Sequence, residues 1–123
     1  MSEYQPPQSA GELITRYQNG ERYFRHSELD ELICDFRGVN LSKADFSHSF
    51  IVADFRGAVL KSVNFSHCNV KTCDFRGADL QGAIFREALL EGTEFAGAIL
   101  DGANFEGAGI FNDSMKAGDL PDW

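Results

Sequence analysis

An all-β solenoid is the fold class this sequence predicts, and three observations predict it. First, Phe55, Phe65, Phe75, Phe85, Phe95 and Phe105 fall ten residues apart, with Leu60, Val70, Leu80, Leu90, Leu100 and Ile110 spaced in the same way between them. A large apolar residue therefore recurs every five residues. Second, a small residue stands two places earlier. In sixteen units from Cys34 to Asn112 these small positions hold nine Ala, three Cys, two Val, one Ser and one Thr. Third, eight units end in glycine, from Gly38 to Gly107.

Neither regular element tolerates a period of five. In a helix, steps of five rotate by about 140°, so the Phe residues would point all round. Each interior glycine would cost a helix about 1 kcal/mol. A plain strand needs period two. Positions two apart on an extended piece share a side. Each unit is thus a short extended piece, one small and one large residue inward, followed by a turn. Such units wind into coils, and stacked coils build a core of like residues.

The elements follow in chain order. Residues 1–33 form an N-terminal tail, a cap and a partial coil. Ser9-Ala10-Gly11-Glu12 has the pattern of a capping box, Leu13, Ile14 and Tyr17 make an apolar stripe, and Gly20 is a stop. A short helix over 9–19 is expected to cover the open first coil, since stacked strands leave unpaired edges. Phe24 and Leu29 read as an imperfect partial coil, with two extra residues before Cys34.

Residues 34–112 form the solenoid. CDFRG starts at Cys34, ADFRG at Ala53, CDFRG at Cys73 and TEFAG at Thr93, spaced by 19, 20 and 20. Phe46-Ser47-His48 returns as Phe65-Ser66-His67, again 19 apart. Four units therefore make a coil. The missing residue lies in Ser49-Phe50-Ile51-Val52, where either Phe50 or Ile51 takes the inward position. Residues 113–123 are the other cap, with Met115, Leu120 or Trp123 over the last coil.

Runs such as Ala78-Asp79-Leu80-Gln81-Gly82 and Ala103-Asn104-Phe105-Glu106-Gly107 resemble the A(D/N)LXX unit of the pentapeptide-repeat family. The resemblance covers about 80 of the 123 residues. It implies a right-handed, four-sided β-helix, here of four full coils. The lead-in ELITRYQNGERYF is also similar to that of cyanobacterial pentapeptide-repeat proteins.

Composition narrows the function. The net charge of −8 argues against non-specific nucleic-acid binding and against an anionic membrane surface. No apolar run approaches the roughly 18 residues of a membrane span. The first residues lack the basic and apolar regions of a secretory signal, so a cytoplasmic location is expected. No P-loop, GxSxG or HExxH occurs, and a non-enzyme without cofactor or metal is expected. Cys34, Cys68 and Cys73 all replace the small inward residue and read as buried small hydrophobes.

Several outward columns are candidate interaction surfaces. His26, His48 and His67 share one, which reads as a polar ladder, with a metal pair or a pH-sensitive element as alternatives. Asp35, Asp54 and Asp74 form another, with Arg37, Arg56 and Arg76 two residues on. That pair of columns is either a solvated charge ladder or a recognition stripe. Leu89 and Phe111 could belong to a partner or homodimer contact. Glu87, Glu91 and Glu106 belong to an acidic half, because residues 73–112 carry seven acids and two bases against three and five in 34–72. A non-catalytic protein-interaction scaffold with an unknown protein partner is the expected function. The alternative is a DNA mimic, because the family resemblance includes proteins that bind DNA gyrase.

Overall fold

A computed structural model of the chain describes residues 3–123. Helix α1 (Ala10–Gln18) opens on Ser9, whose Oγ accepts the N–H of Glu12 at 3.1 Å. Glu12 reaches back one residue further than a capping box requires, to the N–H of Gln8 at 3.3 Å. Leu13 is fully buried, Ile14 and Tyr17 pack on the core, and the Tyr17 hydroxyl donates to the Ser42 carbonyl at 2.9 Å. The apolar stripe thus docks the helix on the solenoid.

The rest is built from parallel bridges between residues one coil apart. Asn40 pairs with Val59, Asp45 with Asn64 and Phe50 with Asn69, each 19 apart. From Asp54–Asp74 onwards the offset is 20. The bridges fall in four columns, containing Asp54, Val59, Asn64 and Asn69 in turn. Each coil is thereby hydrogen-bonded to the next along four short lines rather than along broad strands.

Two columns of phenylalanine fill the interior. Phe24, Phe46, Phe65, Phe85 and Phe105 stack at centroid spacings of 5.8, 5.4, 5.0 and 4.7 Å. Phe36, Phe55, Phe75 and Phe95 stack at 5.3, 5.1 and 5.1 Å. The columns meet edge to face, as at Phe75–Phe85 (5.5 Å, 90°), an arrangement that aromatic quadrupoles favour. The large inward residue of every fourth unit therefore meets its own kind.

Strand β1 (Glu28–Asp35) and strand β2 (Phe50–Asp54) depart from the five-residue rule at one corner. Leu29 pairs with Ile51 and Cys34 with Ala53, so four residues in β1 face the single Val52 in β2. Ile51 is fully buried and Phe50 is 41% exposed, which settles the inward position of the short unit. With one corner residue missing, β2 runs straight and strict alternation takes over. The surplus in β1 leaves Leu32 and Ile33 at 83% and 74% exposure.

The C-terminal end closes by a different device. Strands β3 (Gly109–Ile110) and β4 (Asp113–Ser114) make a small antiparallel hairpin. Met115 is buried behind it, and its carbonyl accepts the Gly107 N–H at 2.9 Å. Trp123 folds back so that its carbonyl accepts the Phe95 N–H at 2.7 Å, while its ring makes a T-shaped contact with Phe95. Leu120 is 51% exposed, against 38% for Trp123. No helix among the described residues is long and apolar enough to cross a membrane.

Candidate functional site: the outward columns

Where the outward residue of an extended piece is Asp or Asn, it has a structural duty. Asp35, Asp54, Asp74 and Asp79 each accept the backbone N–H two residues on, at 3.2, 3.1, 3.0 and 3.2 Å. Asn40, Asn64, Asn69 and Asn104 do the same. This side-chain turn is what short Asx residues do well. It explains why Asp or Asn precedes the large inward residue, a role that periodicity alone does not reveal.

On one face the carboxylates do more. Arg37, Arg56 and Arg76 each fork onto their own Asp35, Asp54 and Asp74, with Nη2–Oδ2 distances of 2.9, 2.7 and 2.7 Å. Each then reaches the next coil: Arg37 to Asp54 at 3.9 Å, Arg56 to Asp74 at 3.8 Å, Arg76 to Glu94 at 3.1 Å. Arginines and carboxylates thus form a staggered zipper along the coils. The arginine beside each carboxyl lowers its pKa, to about 2 for Asp35 and downwards for Asp54 and Asp74.

A depressed carboxyl contributes stability above its unfolded value of about 3.9 and loses it as pH falls through the folded value. Acid denaturation should therefore have a component between roughly pH 4 and pH 2. Asp54→Asn with Asp74→Asn should flatten that component, since Asn keeps the turn acceptor and removes only the charge. At neutral pH the two exposed pairs should contribute little, because solvent screens them. An unchanged acid limb in urea melts would detach the zipper from stability.

His26, His48 and His67 lie on consecutive turns, all with left-handed φ of 56°, 62° and 56°. Histidine is among the few side chains that enter this region readily. The rings stack at 5.3 and 4.9 Å, nearly parallel. Among the described residues no group of three or more His, Cys, Asp or Glu is placed to hold a metal ion. Glu87 continues the same corner at φ 57°, followed by Gly107, where a Cβ would lie 2.5 Å from Glu87 Oε1. Glycine there leaves room for the glutamate side chain.

The cysteines occupy small inward positions, Cys34 and Cys73 in one column and Cys68 in another, and are free. Cys68 Sγ donates to the Phe46 carbonyl at 2.8 Å and Cys73 Sγ to the Ile51 carbonyl at 3.2 Å. Burial pushes both thiols up to about 12 and also raises Cys34. Cys34 is the most accessible, at 9% against 1% and 0%. Thiol labelling without denaturant should modify Cys34 first and leave Cys68 and Cys73 essentially untouched, because thiolate is the reacting form. Fast modification of all three would contradict the inward register.

The remaining candidates separate. Glu91 and Phe111 come together at the C-terminal end, beside Leu90, Ile110 and Trp123. Leu89, 40% exposed, belongs to the neighbouring column and leans over Gly109, where a Cβ would lie 3.3 Å from its Cδ2. Glu106 donates its N–H to Asn104 Oδ1 at 3.0 Å. Leu32 and Ile33 are exposed residues that the repeat pattern did not nominate, although two surplus residues before Cys34 were its trace.

The coils and outward ladders define a β-solenoid assembled from five-residue units. The model of the pentapeptide repeat region matches residues 32–105, and the chain belongs to that family. The structure is similar to alr5209, a pentapeptide repeat protein from Nostoc Pcc 7120, with a TM-score of 0.65, 26% identity, and coverage of 96% of this chain and 93% of that one. It is also similar to QnrB1, a plasmid-mediated fluoroquinolone resistance protein, at 28% identity and TM-score 0.58. That match covers 62% of this chain and 39% of QnrB1, so it spans about two-fifths of that protein. A third similar fold is Rfr23 from the cyanobacterium Cyanothece 51142, at 19% identity and TM-score 0.52, covering 81% and 95% of the two chains. No curated protein sequence matches the chain.

Proposed function

We propose that the chain is a non-catalytic scaffold that presents a rigid face to a protein partner. In this reading residues 34–112 make four full coils of a right-handed, four-sided β-helix. The observation that carries it is the run of parallel bridges in four columns over a stacked aromatic core. Outward side chains are thereby held at fixed separations, and little ordering entropy remains to be lost when a partner docks. The test is cross-linking and capture from native lysate, repeated with Arg56→Glu and Arg76→Glu together. A specific partner retained by the parent protein supports the scaffold. Its loss in the double variant, with an unchanged melting temperature, assigns it to the arginine face. Absence of any specific partner at high loading counts against the reading.

A second reading, mimicry of DNA toward gyrase, is favoured by the acidic half alone. Double-stranded DNA carries one charge per about 1.7 Å. Coils about 4.8 Å apart would need between two and three negative charges each to match it. Residues 73–112 hold seven acids and two bases, but residues 34–72 hold three acids and five bases. The zipper also neutralises one face. No inhibition of gyrase supercoiling at micromolar protein is therefore expected. A block abolished by Glu87→Lys, Glu91→Lys and Glu106→Lys together would reverse the order of the two readings.

A further inference from the structure

We propose that the apolar pocket at the C-terminal end of the solenoid receives a large apolar side chain from a basic segment of a partner protein. The proposal rests on the scaffold reading and gives it a place and a chemistry. The pocket has a volume of about 390 Å³ and is walled by Leu90, Thr93, Ile110, Phe111 and Trp123, with Glu91 at its edge. That size lies within the range of small-ligand sites and accommodates one large side chain.

Its walls are formed before any partner arrives. Trp123 is fixed by its carbonyl on the Phe95 N–H, by its T-shaped contact with the Phe95 ring, and by its Nε1, which donates to Thr93 Oγ1 at 3.3 Å. Thr93 Oγ1 in turn donates to the Leu90 carbonyl at 2.6 Å. Trp123 Nε1, Thr93 Oγ1 and the Leu90 carbonyl are thus occupied by one another, and the surface that these walls offer to an occupant is carbon. Phe111 stands beside it at 72% exposure, an aromatic positioned to fold over an inserted side chain. The Trp123 wall, already held by Phe95 and Thr93, leaves little to order there when an anchor enters.

Charge selects the occupant. Residues 87–123 contain eight acidic residues and one basic residue, Lys116. Glu91 lies on the pocket itself and Asp122 adjoins Trp123. Lys116 Nζ lies 3.9 Å from Asp113 Oδ1. A second copy would bring the same carboxylates against these, and like-charge juxtaposition is costly. A segment with Lys or Arg flanking the apolar anchor meets complementary potential and is steered to the site.

Trp123 is the single tryptophan of the chain, so its emission reports directly on the pocket when the probe contains none. Three synthetic peptides serve as probes: acetyl-GKKLFKKG-amide, its apolar-free counterpart acetyl-GKKSGKKG-amide, and the acidic acetyl-GEELFEEG-amide. The first should shift Trp123 emission saturably and bind at least tenfold more tightly than either control. Phe111→Ser should weaken it at least fivefold without moving the denaturation midpoint. Glu91→Lys with Asp122→Lys should weaken it similarly and flatten its salt dependence. Equal binding of the apolar-free peptide, or no saturable shift with the first, overturns the proposal. So does an emission shift that grows with protein concentration alone, because a second copy then fills the pocket. If Phe111→Ser still captures the lysate partner at parental yield, the scaffold reading stands and this site falls.

Discussion

Phe75→Ala should destabilise the protein by about 3–5 kcal/mol, the range for truncating a fully buried aromatic. Phe75 has no solvent exposure. Its ring stacks on Phe55 and Phe95, both at 5.1 Å, and meets Phe65 and Phe85 edge to face at 5.7 and 5.5 Å. Four aromatic partners lose a face or an edge at once. The coil cannot collapse to fill the void, because its width is fixed by bridges to the coils on either side, such as Asp54–Asp74 and Asp74–Glu94. A domain of this size has roughly 5–15 kcal/mol in total, so the variant should be largely or wholly unfolded at moderate urea. A loss below about 1 kcal/mol in equilibrium urea melts would contradict the stacked-column core.

Ala83→Asp should be comparably damaging at neutral pH. Ala83 is fully buried at a small inward position, and its N–H donates to the Leu80 carbonyl at 3.0 Å. The neighbouring inward residues are apolar, so a carboxylate there would have no counter-ion. An uncompensated buried charge costs about 3–5 kcal/mol. Burial raises the folded-state pKa of the new carboxyl. Its destabilisation is therefore smallest below the unfolded value of about 3.9 and grows as pH rises above it. The variant should be unfolded at pH 7 and regain part of its circular dichroism near pH 4. Ala83→Ser, which can donate to a carbonyl as Thr93 does to Leu90, should remain folded at both. A folded Ala83→Asp at pH 7 with an unshifted urea midpoint would place the small residue on the outside.

The core was legible because a five-residue period leaves few geometries. From Phe36 to Phe95 every large and every small position lands inward, apart from Val39, which is half-buried over the partial coil. The helix bounds were legible from Ser9 and Gly20, because capping chemistry is local. The choice between Phe50 and Ile51 was not. It depends on whether a missing residue is removed from the extended piece or from the corner, and only the pairing of Leu29 with Ile51 shows that the corner is shortened. The choice of Trp123 over Leu120 was equally hidden, since it turns on a carbonyl reaching Phe95.

The outward residues were the least legible. Their identity is constrained by the turn acceptor at Asp or Asn, and beyond that by neighbours 19 or 20 residues away. The Asp–Arg zipper could be anticipated because both partners repeat. The pocket at Phe111 could not, because its walls come from two coils and the tail.

The corner between Leu29 and Cys34 has a wider consequence. In one coil that corner holds four residues, and in the next it holds one, yet Leu29–Ile51 and Cys34–Ala53 still pair on either side of the register shift. Elsewhere it holds two, as at Lys71-Thr72 and Glu91-Gly92. Corner length is therefore decoupled from the panels that it joins. Closing a somewhat longer loop costs only fractions of a kcal/mol per added residue. A peptide epitope grafted between Asp30 and Ile33 should be displayed at a set height along the rod, with the panels above and below undisturbed. The molecule behaves as a measuring stick whose markings can be rewritten without bending it.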